Sequence, residues 1–231
     1  MKIKQFRYAF DNLGYVVYTQ REAMAIDGGA VEQIQAFIKE NGLILKYATN
    51  THSHADHTNG TPALVKKMNA KYQDHKTIAK NGKIFLEDQE IKILRTPGHT
   101  LDSVSFYTGP CLIAGDTLFN GTVGNCFSGD LDRFLKSIKL LLSYPDDTIL
   151  YAGHDYVKAS IVFARQFEPH NPDLDRYMKD YDPDHVRSTL ADECKVNPYL
   201  RFNQESIIAI LKGKGLPVDT EEQRWSSVMT L

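Results

Sequence analysis

The fold of this chain is indicated by one short stretch, Thr51-His52-Ser53-His54-Ala55-Asp56-His57, which follows a predicted strand over Leu43–Ala48. Three histidines and one aspartate lie within six residues. In extended backbone, residues two apart share one face, so His52 and His54 point together, and a following turn brings the aspartate and the third histidine to a second nearby point. This spacing fits two adjacent metal ions better than one. Clustered imidazoles repel one another when protonated, which argues against a metal-free polar loop.

Three further candidate ligands each follow a predicted strand and stand beside a glycine. They are His99 after Ile91–Arg95, Asp116 after Cys111–Ala114 and His154 after Thr148–Tyr151. Glycine lets the backbone turn sharply, and a rigid sheet holds the loops at its strand ends. We therefore expect these three side chains to join the histidine stretch in one site. The remaining histidines do not share the pattern and are assigned surface or packing roles: His75 in a polar loop, His170 and His185.

The composition is that of an ordinary globular chain, with 231 residues, 27 Lys plus Arg against 29 Asp plus Glu, and a net charge of −2. No basic excess indicates a nucleic-acid partner. No apolar run approaches the roughly 18 residues of a membrane-spanning helix. Three dispersed cysteines and the lack of a secretory leader pattern predict a cytoplasmic protein, with no membrane association and no obligatory protein partner evident.

The pattern of predicted strands and helices changes near His154, which predicts two domains, 1–154 and 155–231. Before this point short β-rich runs alternate with helices, and after it the chain reads as helix and loop. Further strands are predicted over Gly14–Thr19, Ala23–Ile26 and Ser103–Tyr107. Helices are predicted over Val31–Glu40, from a Thr61-Pro62 cap, after an Asp130 cap, over Val157–Phe167 and over Glu205–Lys212, with proline-containing joints at Pro169, Pro172, Pro183 and Pro198.

These residues resemble the metallo-β-lactamase superfamily, and most closely its glyoxalase II (hydroxyacylglutathione hydrolase) branch. The matching motifs are Thr51-His52-x-His54-x-Asp56-His57, Pro97-Gly98-His99, Gly115-Asp116-Thr117-Leu118-Phe119 and Gly153-His154-Asp155-Tyr156. The likeness continues with Phe163-Ala164-Arg165, Glu168-Pro169-x-Asn171, Ser188-Thr189-Leu190-Ala191 and Asn197-Pro198-x-x-Arg201, and it fades after Phe202. It therefore covers nearly the whole chain.

The resemblance implies an α/β fold, the αββα metallo-β-lactamase sandwich, with a C-terminal helical domain. Residues 1–154 would form the metal-binding catalytic domain, and residues 155–231 the helical substrate-binding domain. Carried over by motif, His52, His54 and His99 would hold a first metal ion, Asp56, His57 and His154 a second, and Asp116 would bridge them. Imidazole and carboxylate ligands without thiolate suit two divalent ions, with zinc preferred and iron or manganese as alternatives.

The activity that the resemblance implies is hydrolysis of a small-molecule thioester, such as S-lactoylglutathione or a related S-acyl thiol, as in methylglyoxal detoxification. A metal-bridging hydroxide would attack the thioester carbonyl and release a hydroxy acid and a free thiol. Asp56 and Asp116 are the candidate catalytic residues, and Asp56 could also orient the hydroxide. Tyr156 matches a tyrosine that contacts the glutathione moiety in this branch.

One departure from the branch concerns the substrate-binding positions between Phe119 and the Asp130 helix. Glutathione-using relatives place a lysine and, two residues on, a tyrosine there, whereas this chain has Asn125 and Phe127. A neutral amide loses a charge-assisted hydrogen bond of about 1.5 to 3 kcal/mol, so glutathione thioesters would bind roughly one to two orders of magnitude more weakly. We expect a weak preference for glutathione or a different carrier thiol.

Other activities stay open as alternatives. A mononuclear iron persulfide dioxygenase has a similar histidine stretch, but that branch generally lacks the helical tail with the Glu-Pro-x-Asn and Asn-Pro-x-x-Arg segments. A lactonase, phosphodiesterase or β-lactamase could use the same metals, because a fold does not determine the substrate. A purely structural metal is disfavoured, since structural zinc sites are closed cages rich in cysteine.

Overall fold

The computed structural model describes residues 1–231, which form two mixed β-sheets with helices around them. The first sheet has the order β1-β2-β3-β4-β5, formed by Lys2–Tyr8, Asn12–Tyr18, Glu22–Ile26, Ile44–Thr49 and Lys71–Tyr72. The second has the order β11-β10-β9-β8-β7-β6, in which β6 to β11 are Lys83–Leu86, Gln89–Arg95, Val104–Tyr107, Cys111–Gly115, Ile149–Ala152 and Ser188–Thr189.

Ten helices surround the sheets. In chain order, α1 to α10 are Val31–Glu40, Ala55–Thr58, Thr61–Met68, His75–Asn81, Leu131–Leu142, Val157–Phe167, Pro172–Asp180, Leu190–Val196, Glu205–Gly213 and Glu221–Val228. None of them combines the length and the apolar composition that crossing a bilayer requires.

The sheets and helices are stacked in layers because each element buries its apolar face against a neighbour. Side chains such as Tyr15 of β2 and Phe106 of β8 meet in one buried cluster between the two sheets. On the outer face of the first sheet, Ile34 of α1 and Leu64 of α3 pack in a second cluster with residues of β2, β3 and β4. Leu141 of α5 covers the outer face of the second sheet in a third cluster. The αββα sandwich is therefore confirmed.

The bounds predicted for the strongly periodic helices agree with the structure, but the cap predicted for α3 is wrong. Helices α1 and α6 have the predicted bounds, and the Asp130 side chain caps α5 by accepting from the Arg133 backbone N–H. Thr61 is the first residue of α3 instead of its cap, which is Gly60. A Cβ at Gly60 would lie 2.3 Å from the Gly28 carbonyl oxygen, so the close approach of two chain segments requires glycine at this cap.

Two segments that the sequence predicts as loop or joint are helical. The predicted polar loop around His75 is wrong, because Asp74 caps α4 there and the His75 side chain is buried. The predicted joint at Pro172 is also wrong, since Asn171 caps α7 and the proline lies in its first turn, where it has no hydrogen-bond partner to lose.

The C-terminal segment packs against both sheets. Its strand β11 pairs with β10, while α6 and α7 add Ile161 and Leu174 to the cluster between the sheets. The fully buried Trp225 of α10 contacts Phe134 of α5 and donates its indole N–H to the Leu131 carbonyl at 2.9 Å. The division into domains at residue 154 stays a prediction.

Candidate metal centre

The seven predicted ligands lie together at one edge of the sandwich. They follow the ends of β4, β7, β9 and β10, because these strands present their carboxyl ends at this edge. Two groups form. Within each, one ligand atom per residue lies within 4.8 Å of the others: His52, His54, His99 and Asp116 in the first group, and Asp56, His57 and His154 in the second.

The imidazoles of each group face one another through their ring nitrogens. Nδ1 of His54 lies 3.0 Å from Nε2 of His52 and 3.0 Å from Nε2 of His99. In the second group, Nε2 of His57 lies 3.1 Å from Nε2 of His154. Ring nitrogens at this distance repel when both present lone pairs, so a proton or a cation must lie between them. Several converging lone pairs are typical of a metal site.

Asp116 belongs to the first group and also faces two histidines of the second. Its Oδ2 is 3.5 Å from Nε2 of both His99 and His154, and its Oδ1 is 3.4 Å from Nε2 of His57. Oδ1 is also buried without a hydrogen-bond partner, which is costly unless a cation compensates it. A Cβ at Gly153 would lie only 2.0 Å from this oxygen, so glycine is required beside the predicted ligand His154. These residues fit divalent metal ions.

Asp27, which is not among the residues predicted from the sequence, contacts the histidine stretch through Thr51 and His57. The buried carboxylate lies 3.0 Å from Nδ1 of His57 and accepts from both the backbone N–H and the hydroxyl of Thr51. It stands in Asp27-Gly28-Gly29 at the end of β3. Its place after a strand and beside a glycine is the same signal that selected His99, Asp116 and His154.

The two groups differ in their affinity for protons. Burial lowers the pKa of His52 to about 3 and also lowers that of His99. Burial acts in the same direction on His57, but the carboxylates of Asp27 and Asp116 outweigh it and raise the pKa of His57 to about 11. Burial is likewise outweighed at His154, whose pKa is raised by Asp116 and Asp11. Without bound cations, His57 keeps its proton throughout the neutral range, whereas His52 is neutral.

The predicted substrate-binding residues border the two groups. Tyr156 stacks on the His154 ring, with centroids 5.2 Å apart at an interplanar angle of 4°. Phe127 is 67% exposed and lies edge-on to the rings of His54 and His99, at 5.6 and 5.2 Å. The side chain of Asn125 is exposed, and its backbone carbonyl lies 2.9 Å from Nδ1 of His99. The border of the site is therefore aromatic.

Family models match the middle and the C-terminal parts of the chain. Residues 155–226 match the model described as hydroxyacylglutathione hydrolase C-terminus, and residues 76–154 match the metallo-beta-lactamase superfamily. The curated hydroxyacylglutathione hydrolase of Idiomarina loihiensis is 30% identical over 226 residues, covering 90% of this chain and 89% of the relative. That of Nitrosomonas eutropha is 34% identical over 216 residues, covering 86% and 84%.

Solved structures share the fold at lower identity. The crystal structure of ETHE1 from Myxococcus xanthus has a TM-score of 0.68 at 22% identity, covering 98% of this chain and all of that one (100%). A metallo-beta-lactamase from Staphylococcus aureus has a TM-score of 0.64 at 22% identity, covering 99% of this chain and 72% of that one. At these identities the likeness concerns the fold alone.

Proposed function

The chain belongs to the hydroxyacylglutathione hydrolase family of the metallo-β-lactamase superfamily, and from this premise we propose how its residues hydrolyse a thioester. The membership confirms the predicted metal-dependent thioester hydrolase and leaves the persulfide dioxygenase as a distant alternative. The observation that carries the proposal for the site is Asp116, whose carboxylate lies between two groups of imidazoles with one buried oxygen unpaired.

We propose that His52, His54 and His99 would hold a first ion, that Asp56, His57 and His154 would hold a second, and that Asp116 would contribute to both sites. The ligands are imidazole nitrogens and carboxylate oxygens, which supports zinc, with iron or manganese as alternatives. When bound, the ions would supply a water of lowered pKa as nucleophile and stabilise negative charge on the thioester carbonyl oxygen.

Three aspartates of the chain would have separate roles in the reaction. Asp116 is ionised, because the neighbouring imidazoles of His154 and His57 outweigh burial and hold its pKa well below the usual range. Its charge offsets part of the charge of the ions. The side chain of Asp56 is 48% exposed, so its carboxylate is accessible to a water molecule that it can orient by a hydrogen bond. Asp27 holds His57 through Nδ1, which keeps Nε2 directed toward His154 and Asp116, where it could bind an ion.

The carrier thiol that we propose is one whose binding does not depend on a cationic anchor for a glycyl carboxylate. Asn125 offers a neutral amide, and the exposed ring of Phe127 offers an apolar surface beside His54 and His99. Lysine at the first position and tyrosine at the second would supply the missing charge and hydroxyl. We propose that Tyr156, stacked on His154, contacts the carrier thiol.

The partner in this proposal is a small-molecule thioester, with no nucleic acid, membrane or obligatory protein partner. A cytoplasmic location is supported by the free thiols of Cys111, Cys126 and Cys194, because free cysteines are typical of a reducing compartment.

The decisive experiment combines an ion count with an assay of the same sample. The protein is purified without added metal, its ions per chain are counted, and it is tested on thioesters, lactones, phosphodiesters and β-lactams. We expect close to two ions and thioester cleavage that His54→Ala abolishes. Full activity in that variant, or one iron per chain with oxygen consumption on glutathione persulfide, contradicts the proposal.

A further inference from the structure

The turn between β1 and β2 is attached to the loop that carries His154. The Asp155 backbone N–H donates to the Asp11 carbonyl at 2.9 Å, and the Leu13 N–H donates to the Gly153 carbonyl at 2.8 Å. These bonds lie on either side of His154 and involve only backbone atoms. The positions of Asp11 and Asn12 therefore do not depend on their own side chains.

The side chains of Asp11, in the turn, and of Asn12, the first residue of β2, both contact proposed ligands of the second group. Oδ1 of Asp11 lies 2.9 Å from Nδ1 of His154. Nδ2 of Asn12 donates to Oδ2 of Asp56 at 2.9 Å and lies 3.4 Å from Nε2 of His154. The Asn12 side chain is buried, with only 5% of the residue exposed, so its amide has few alternative partners. Two consecutive residues thus contact two of the three ligands in this group.

We propose that Asp11 and Asn12 are positioning residues that set the affinity of the second metal ion and leave the first unaffected. This inference rests on the proposed two-ion site. A proton on Nδ1 of His154, donated to Asp11, leaves Nε2 as the nitrogen with a free lone pair. The amide of Asn12 holds one oxygen of the Asp56 carboxylate in place, although that side chain is about half exposed.

The first group has different supports. His99 faces the Asn125 carbonyl at 2.9 Å, and His52 faces the Thr51 hydroxyl at 3.0 Å. No hydrogen bond joins Asp11 or Asn12 to these histidines or to His54. Loss of a partner that orients a ligand typically weakens metal binding by about 10- to 100-fold. Removal of the Asp11 or Asn12 side chain should therefore weaken the binding of the second ion only.

The test uses the zinc-loaded protein with Asp11→Ala, Asn12→Ala and Asp11→Asn. Each sample is dialysed against graded concentrations of a chelator, the ions per chain are counted, and the thermal unfolding midpoint is measured. We expect both alanine variants to release one ion at a free zinc concentration about 10- to 100-fold above that of the wild type, and to keep the other ion normally. Asp11→Asn retains an acceptor oxygen and should rescue the second ion to within about threefold. Asn41→Ala, which removes an exposed amide bonded only within α1, is the matched control and should behave as the wild type.

The outcomes separate this inference from the proposed function. If the wild type holds two ions and the alanine variants keep both with unchanged affinity, or lose both together, the inference is overturned and the proposed function stands. If the wild type itself holds fewer than two ions, the proposed site is overturned. If Asn12→Ala does not fold, the partly exposed Asp11→Ala decides alone.

Discussion

Oδ2 of Asp27 lies 3.0 Å from Nδ1 of His57, and both side chains are fully buried. The two residues are 30 positions apart in the sequence, and β3 and the loop after β4 bring them together. The Asp27 carboxylate orients His57, a predicted ligand. It also holds the loop after β4, because the N–H and the hydroxyl of Thr51 both donate to it.

Asp27→Ala should lower both the stability of the fold and the affinity for the second ion. It leaves two donors of Thr51 and one imidazole unpaired in the interior, at an expected cost of roughly 2 to 4 kcal/mol in the free energy of unfolding. Denaturant unfolding of the metal-free protein measures this cost. Asp88→Asn, on an exposed turn, is the control. A change below about 0.5 kcal/mol would show that the buried pair has no stabilising role.

Binding of the second ion should depend more steeply on pH than binding of the first. The raised pKa of His57, about 11, means that the metal-free chain keeps this proton throughout the neutral range, and His154 is shifted in the same direction. A metal ion must displace the proton of His57, so the affinity for the second ion should rise about tenfold per pH unit for this proton. His52 and His99, with lowered pKa values, release none. Chelator competition between about pH 6 and pH 8 measures both slopes, and equal slopes would contradict this assignment.

The double variant Asn125→Lys, Phe127→Tyr should shift the substrate preference toward glutathione. It restores a cation for the glycyl carboxylate and a hydroxyl two residues on. We expect kcat/KM for S-lactoylglutathione to rise about 10- to 100-fold relative to a thioester of the same acyl group that lacks this carboxylate. Asn125→Gln, which adds length without charge, is the control. In the wild type, a large preference for S-lactoylglutathione would refute the proposed weak dependence on glutathione.

The buried carboxyl of Glu193 should make stability fall as pH rises. It accepts from the hydroxyls of Tyr177 and Ser188, from the Gly121 N–H and from the Asn197 amide, yet burial outweighs these bonds and raises its pKa above the ordinary 4.5. Between the unfolded and the folded pKa the folded chain binds more protons, so the free energy of unfolding decreases from about pH 4.5 upward.

Glu193→Gln tests this linkage because it cannot ionise. The stability of the wild type minus that of the variant should decline with rising pH and then level off, as measured by denaturant unfolding at several pH values. Glu40→Gln, at the exposed end of α1, should show no such trend. A difference that increases with pH would mean that the folded state stabilises the ionised carboxylate.

Local patterns in the sequence were sufficient to select the side chains that the structure brings together in the two groups. A histidine stretch after a strand, and single ligands beside Gly98, Gly115 and Gly153, depend only on neighbours along the chain. The same holds for α1, α5 and α6, whose apolar stripes repeat with the helical period. The family resemblance that these motifs carry also implied the αββα sandwich.

Only the tertiary structure decided which distant segments are in contact. Asp11 and His154 are 143 residues apart, and Asn12 and Asp56 are 44 apart, so no local period relates them. Burial of His75 likewise depends on α4 packing against the second sheet. The sequence by itself determined which side chains could bind metal, because ligand chemistry and strand ends are local properties. The tertiary structure decided which residues hold those ligands in place, because that depends on how two sheets bring their strand ends to one edge.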